Sequence, residues 1–206
     1  AVEAEAEPAG AFAGADDRSR VFAAVALADK LDTLAGYFGL GESPTGSRDP
    51  YGLRRAGQGA VRAALDFWRP KPGEKPPDLE ALLGAAVEGH GALKRPAAET
   101  VAAATAFLAD RLAYVLAARG FAADEVAAVV GAPLARALGD PVDAQARVFA
   151  LQRARREVPE DFAALAEAFK RAKNILAQAA PAASVDPKLF ESDAERALFA
   201  AASGLE

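Results

Sequence analysis

Cysteine and methionine are both absent from this 206-residue chain. Without cysteine there is no disulfide framework and no thiolate-bound zinc, which fits a reducing compartment. Histidine occurs once, as His90, so a metal centre that needs two or three imidazoles has no ligands here. Aromatic residues make up only 7%, and no β-branched run is longer than a few residues. Sheet-forming segments are therefore not expected. No apolar run approaches the roughly 20 residues that span a bilayer, and the first residues show no signal-peptide pattern. What is abundant is alanine, and an alanine-rich, aromatic-poor composition favours closely packed helices. The length suits one or two small domains with a real core. A net charge of −5 argues against a uniformly basic nucleic-acid binder while leaving room for local basic stripes.

Taken in order, residues 1–20 are small and acidic with little to bury, and read as a mobile leader. A helix is predicted from Val21, with Leu27, Leu31, Leu34 and Phe38 on one face at spacings of four, three and four. Asp29 and Asp32 lie one turn apart on another face, beside Lys30 and Thr33. Gly36, Gly39 and Gly41 end this helix, and Ser43-Pro44-Thr45-Gly46-Ser47 reads as a turn-rich loop. Asp49-Pro50 reads as N-cap and first residue of a second helix. Its slim apolar face is Leu53, Gly57, Ala60, Ala64 and Phe67, opposite a polar stripe of Arg55, Gln58, Arg62 and Arg69. Prolines at 70, 72, 76 and 77 interrupt the chain.

Asp78 caps a third helix, apolar at Leu79, Leu82, Leu83 and Val87, which breaks at Gly89-His90-Gly91. A long helix over 97–119 turns Val101, Leu108, Leu112 and Val115 inward and ends at Gly120, with Phe121 as the contact beyond the cap. Shorter helices follow from Asp124 to Gly131-Ala-Pro133, and from Asp140-Pro141 to about Arg156. Another runs from Pro159 to about Gln178, apolar at Phe162, Leu165, Phe169 and Leu176, and after Pro181 and Pro187 a last one starts near Asp193. The fold class is all-α.

Two segments in the first part of the chain, ALADKLDTL at 26–34 and PTGSRDPYGLRRA at 44–56, resemble a paired pattern of the beta subunit of the bacterial-type tetrameric glycyl-tRNA synthetase. FLADRL at 107–112, RGF at 119–121, KRAKNIL at 170–176 and VDPKLF at 185–190 extend the resemblance in the same order over about 21–200. Gly52 and Gly57 depart from it, since the family usually places alanine or a larger residue there. The resemblance implies an internal piece, or a much reduced relative, of that subunit. It implies an HD-like helical region over 21–95 and a helical domain over 96–206 that leads toward an anticodon-binding-type domain. It further implies a non-catalytic, tRNA-binding part of a cytoplasmic enzyme that joins glycine to its tRNA. ATP and magnesium would then sit on a partner alpha subunit in a hetero-oligomer, with no cofactor in this chain and no membrane.

The residues themselves leave other readings open. Asp29 in LADK also resembles the last metal-ligand helix of HD phosphohydrolases, but that chemistry needs histidines this chain lacks. Asp29, Lys30 and Asp32, with Pro44, Thr45, Gly46 and Asp49, are therefore expected to be structural, Asp29 serving a helix end or an arginine. PTGS lacks a phosphate-loop pattern, and Asp49 sits where an anion would go. It reads as a shaped loop whose Thr45, Ser47 and Arg48 can meet phosphate oxygens. Three basic groups stand out: Arg48, Arg54, Arg55 and Arg62; Arg147, Arg153, Arg155 and Arg156; Lys170, Arg171 and Lys173. Such groups are either solvated faces paired with carboxylates or phosphate contacts. Because the first and third fall in the resembling motifs, they are the candidate tRNA contacts. Arg54 is the one placed to anchor the 44–49 loop instead. Tyr51 and Trp68 could stack a base, though aromatics near helix ends are ordinarily rim packing, and His90 reads as an exposed loop residue. A helical scaffold that binds only protein is the remaining alternative.

Overall fold

The computed structural model describes residues 17–68, 74–131, 134–178 and 185–203. Along them run α1 (Asp17–Gly39), α2 (Leu53–Arg62), α3 (Leu79–Gly89), α4 (Ala97–Ala118), α5 (Ala123–Val130), α6 (Leu134–Gly139), α7 (Pro141–Glu157), α8 (Pro159–Gln178) and α9 (Asp193–Ser203). No strand forms among the described residues, only an isolated bridge between Thr45 and Arg48. The all-α expectation holds. Two compact units divide between Glu157 and Val158. The boundary expected at 95/96 lies inside the first of them, where α3 and α4 pack together.

The core of the first unit grows from the stripe read off α1. Leu27, Leu31, Leu34 and Phe38 are each at most 3% exposed. They face α2, α3 and α4, as a 3.6-residue period requires of an amphipathic helix. The helix begins at Asp17, four residues earlier than its apolar pattern suggests. Ser19 is buried, and Arg20 donates to both oxygens of Glu74 at 2.7 and 2.6 Å, so 17–20 belong to the fold rather than to a leader.

α2 is short and lined with small residues. Leu53, Gly57, Ala60 and Val61 are buried, and a wider turn over Ala63–Phe67 closes with Trp68 N–H donating to Ala63 O at 3.1 Å. α3 is capped as expected, Asp78 Oδ1 accepting from Ala81 N–H at 2.9 Å. Leu79, Leu83 and Val87 point inward, whereas Leu82, expected with them, is exposed. The inward three repeat every four residues, and Leu82 falls off that ridge.

α4 is the central helix, in contact with α1, α2, α3, α5 and α6. Its 22 residues reach a mean hydropathy of 1.5 over their best window, long and apolar enough to cross a membrane by length and composition. That corrects the expectation of no such run: alanines raise hydropathy without forming an obvious leucine-rich block. In this fold its Thr100, Ala104, Leu108, Leu112, Val115 and Leu116 are buried against the surrounding helices. At its end Gly120 adopts φ +93°, a conformation that costs glycine little, and Phe121 packs on the core. Arg119 donates to Asp66 and to Gln145, so one guanidinium ties the turn after α2 to the end of α4 and to α7. α7 is capped by Asp140, whose Oδ1 accepts from Asp143 N–H at 2.8 Å, with Pro141 at its first position.

The second unit has no buried residue among its described residues. Along α8, Phe162 is half-buried while Leu165, Phe169 and Leu176 are exposed. Ser192 and Glu195 form a capping box at α9: Glu195 accepts from Ser192 N–H at 2.8 Å, and Ser192 Oγ accepts from Glu195 N–H at 3.3 Å. Most of the expected leader (1–16), together with Arg69, Pro70, Pro72, Pro133 and Pro181, lies outside the described residues.

The α1 stripe sets the stability of the first unit. Leu34→Ala should lower the unfolding free energy by roughly 2–5 kcal/mol, because a fully buried leucine leaves a cavity among packed helices. Denaturant titration checks this, and a loss below about 1 kcal/mol would mean that the site can collapse.

Candidate nucleic-acid interface

The 40–52 connection is held by its own hydrogen bonds. Thr45 and Arg48 exchange backbone bonds, Thr45 N–H to Arg48 O at 3.1 Å and Arg48 N–H to Thr45 O at 2.8 Å. Gly46 between them takes φ +51°. Gly52 N–H donates to Asp49 O at 3.2 Å, closing a turn around Pro50-Tyr51. Asp49 does cap α2, but from three residues before the cap position rather than at it. Oδ1 accepts from Leu53 N–H at 2.8 Å and Oδ2 from Arg54 N–H at 3.0 Å. The residue at the cap position is Gly52, left-handed at φ +66°, so the helix starts at Leu53 and Pro50 belongs to the turn. Both carboxylate oxygens fill the site where a phosphate would otherwise meet the helix N-terminus.

The first basic group separates into two jobs. Arg54 Nη2 donates to Gly46 O at 2.6 Å and fastens the loop to α2. Arg55 and Arg62 are exposed, seven residues apart on the outer face of α2, about 10 Å along its axis. Arg55 folds back so that a Cβ on Gly52 would lie 3.2 Å from its Nη2. Arg48 is exposed on the loop. Among the described residues none of Arg48, Arg55 and Arg62 has an acidic partner within ion-pair distance. Between Arg55 and Arg62 on that face lies Gly59, and the α1 residue Lys30 is laid across it, its Cδ and Cε 2.7 Å from where a Cβ would stand. Lys30 Nζ pairs with Asp29 Oδ2 at 2.8 Å. Three cations thus line one face of α2, one supplied by the neighbouring helix. Sequence reading placed Lys30 among structural residues, because only a glycine at a matching helical position hints that a side chain crosses there.

The acidic pair on α1 finds local partners rather than an arginine. Asp29 holds Lys30, and Thr33 Oγ1 donates to Asp29 O at 2.9 Å. Asp32 meets His90, whose Nε2 lies 3.1 Å from Oδ1 and 3.0 Å from the backbone O of Asp32. His90 is half-buried and packs over Gly36, where a Cβ would come within 3.0 Å of its ring. It is therefore a clasp between the 90–95 segment and α1, not an exposed loop residue. Arg95 N–H completes the clasp by donating to Gly39 O at 2.9 Å. No group of three histidine, cysteine or acidic side chains is assembled among the described residues.

The other aromatics and cations sort by partner. Tyr51 stacks on Tyr37 at 4.3 Å between centroids and 24° between planes. Trp68 lies beneath Arg20 at 5.7 Å and lines a cavity of about 970 Å³ between α1 and α3 with Leu27, Leu31, Pro76, Pro77 and Leu82. In the second basic group Arg147 pairs with Asp143, Arg153 with Glu157, and Arg155 with Asp124 and Glu125. In the third, on α8, Arg171 pairs with Glu167 at 2.6 Å, while Lys170 and Lys173 are exposed.

Two consequences are measurable. Asp49→Ala should cost about 1–2 kcal/mol of stability, since two helix N–H groups lose their acceptor together; an unchanged denaturation midpoint would show that water replaces the cap. The Arg155 guanidinium, donating to Asp124 at 2.7 Å, holds that carboxyl below the ordinary carboxylate range. A carboxyl with a lowered folded pKa contributes stability in full above its ordinary value and loses it as pH falls through the folded value. Asp124→Asn should therefore flatten the decline in melting temperature between about pH 5 and pH 2, and parallel curves for the two proteins would sink the assignment.

Comparison with known proteins agrees with this arrangement of motifs. A family model described as glycyl-tRNA synthetase beta subunit matches residues 1–131. Similar curated proteins are named glycine–tRNA ligase beta subunit. That of Acinetobacter baylyi is 42% identical over 177 residues, 85% of this chain and 24% of the relative. That of Geobacter sulfurreducens is 42% identical over 184 residues, 89% of this chain and 25% of the relative. That of Acidovorax ebreus is 41% identical over 196 residues, covering 92% and 25%. The chain spans about a quarter of the length of these relatives. A family-model match over more than half of the residues, with identities above 40% across most of the chain, places it in one family: the chain belongs to the glycyl-tRNA synthetase beta subunits.

Proposed function

We propose that this chain is a tRNA-binding and assembly part of a glycyl-tRNA synthetase beta subunit, supporting the ATP-dependent attachment of glycine to its tRNA without itself carrying the reaction. In this reading the adenylate-forming site, with its ATP and magnesium, lies on an alpha subunit, and the two subunits work together in the cytoplasm. The 21–95 helices are an HD-like region that serves as a platform, and the later helices lead toward the anticodon-binding side.

The observation that carries the reading is the outer face of α2. Among the described residues Arg55 and Arg62 have no acidic partner, whereas Arg147, Arg153 and Arg155 are paired with carboxylates. Unpaired guanidinium groups in a row suit a phosphate backbone, which supplies most of the affinity in RNA binding and makes it salt-dependent. Arg48 is exposed nearby, Lys30 lies along the row while paired with Asp29, and on α8 Lys170 and Lys173 are separate candidate contacts beside Arg171, which is paired with Glu167. The exposed Leu165, Phe169 and Leu176 support the assembly half of the reading, since apolar side chains left together in water mark a protein contact.

Arg55→Ala and Arg62→Ala should each weaken tRNA binding alike across tRNA sequences and reduce the log–log salt slope by about 1. Melting temperatures should stay close to wild type, because both side chains are exposed. An unchanged affinity at two salt concentrations with a lowered melting temperature would make the arginines structural. The chain alone should also show no glycine-dependent ATP–pyrophosphate exchange, and measurable exchange would refute the non-catalytic reading.

A further inference from the structure

The aromatic pair beside the basic row has no evident need to be where it is. Tyr51 stacks on Tyr37 through one ring face, yet the residue remains 46% exposed. The backbone that carries it is fixed from every side. Pro50 restricts the preceding φ, Gly52 N–H closes the turn onto Asp49 O, and Asp49 is tied to two N–H groups of α2. Arg54 fastens the same loop at Gly46. A ring held this firmly has lost most of its freedom before any ligand arrives, which removes much of the ordering cost of binding.

Its surroundings are cationic. The Arg55 guanidinium lies against Gly52, the next residue after Tyr51, and Arg48 stands exposed three residues before it. Over 42–55 the chain has three arginines and two carboxylates. One of those carboxylates is Asp49, whose two oxygens are already engaged. An exposed aromatic ring with an arginine on either side of it in the chain suits a stacked base with flanking phosphates. A duplex offers no free base face, because its bases are stacked on one another, so the ligand must be unpaired.

We propose that Tyr51, backed by Tyr37, is a stacking platform for one unpaired nucleotide of the bound RNA, with its neighbouring phosphates held by Arg48 and Arg55. The proposal rests on the tRNA-binding reading above and extends it to the single-stranded part of the RNA. Stacking is indifferent to base identity, so the platform selects an unpaired end or loop rather than a sequence.

The test uses the full chain and two RNA hairpins, one blunt and one with a short single-stranded 3′ tail carrying 2-aminopurine, whose fluorescence falls when it stacks on an aromatic ring. Wild type and Tyr51→Phe should quench the tail fluorophore. Tyr51→Ala should abolish the quenching and weaken binding of the tailed RNA by roughly 5- to 100-fold, while its binding of the blunt hairpin stays unchanged. Absence of quenching by wild type, with both RNAs still bound through Arg55 and Arg62, would overturn the platform and leave the tRNA-binding reading intact. If Tyr51→Ala weakens both RNAs equally and lowers the melting temperature, the ring is a staple between loop and α1, and the platform is again overturned. If neither RNA binds, both readings fall together.

Discussion

The close seating of α2 between α1 and α4 is the constraint on which the first unit depends. A ten-residue helix with two glycines gives up roughly 2 kcal/mol of intrinsic helix stability relative to alanine. Packing explains their presence. At Gly57 a Cβ would lie 2.8 Å from Arg111 Cγ and 3.0 Å from a Phe107 ring carbon, and at Gly59 it would lie 2.7 Å from the Lys30 stem. Long side chains of both flanking helices thus lie directly on the α2 backbone. Contacts of that kind recover at the interface what the helix lacks in isolation, because interiors are packed to near-crystalline density. The residue that Gly57 accommodates, Arg111, lies within the FLADRL segment.

This seating also determines what α2 shows to solvent. With Leu53, Gly57, Ala60 and Val61 turned inward, Arg55 and Arg62 are left on the opposite side, and Lys30 crosses between them over Gly59. The carboxylate that accompanies Lys30, Asp29, sits on α1 rather than on the row itself. Loop and helix are then locked to one another by a division of work between adjacent arginines: Arg54 reaches back to Gly46, and Arg55 stays on the face. One position of helical phase, about 100°, separates a fastening residue from a displayed one.

Much of the fold was legible from local chemistry. The four-three-four spacing of Leu27, Leu31, Leu34 and Phe38 located the core face, and Asp78, Asp140 and Gly120 marked helix ends through short-range bonds. Failures came where the deciding contact is distant or where two local rules compete. Asp17–Arg20 look like a polar leader until Glu74 pairs with Arg20. His90 looks exposed until Asp32, 58 residues earlier, accepts it. Asp49-Pro50 satisfies the rule for a helix start, but the left-handed Gly52 delays the helix and the aspartate caps across the intervening turn. At the candidate interface, composition revealed the arginines. Which of them were already neutralised, and that Lys30 joins them, depended on helices brought together only by folding.

An acidic chain can present such a row because electrostatics in salt water is local. At physiological ionic strength charges separated by more than about 8 Å are largely screened from one another. The net charge of −5 therefore says little about the potential above α2. What matters is which cations within that distance retain an uncompensated charge. Arg155 and Arg171 each have a carboxylate within 2.7 Å and contribute little to an external field. Arg48, Arg55 and Arg62 have no such neighbour among the described residues, so their charge is available to an arriving anion. Placing Asp29 against Lys30 rather than against either arginine anchors the crossing side chain while leaving the arginines unneutralised. The pairing of carboxylates inside the fold, more than the number of basic residues, fixes where this surface keeps an uncompensated positive charge.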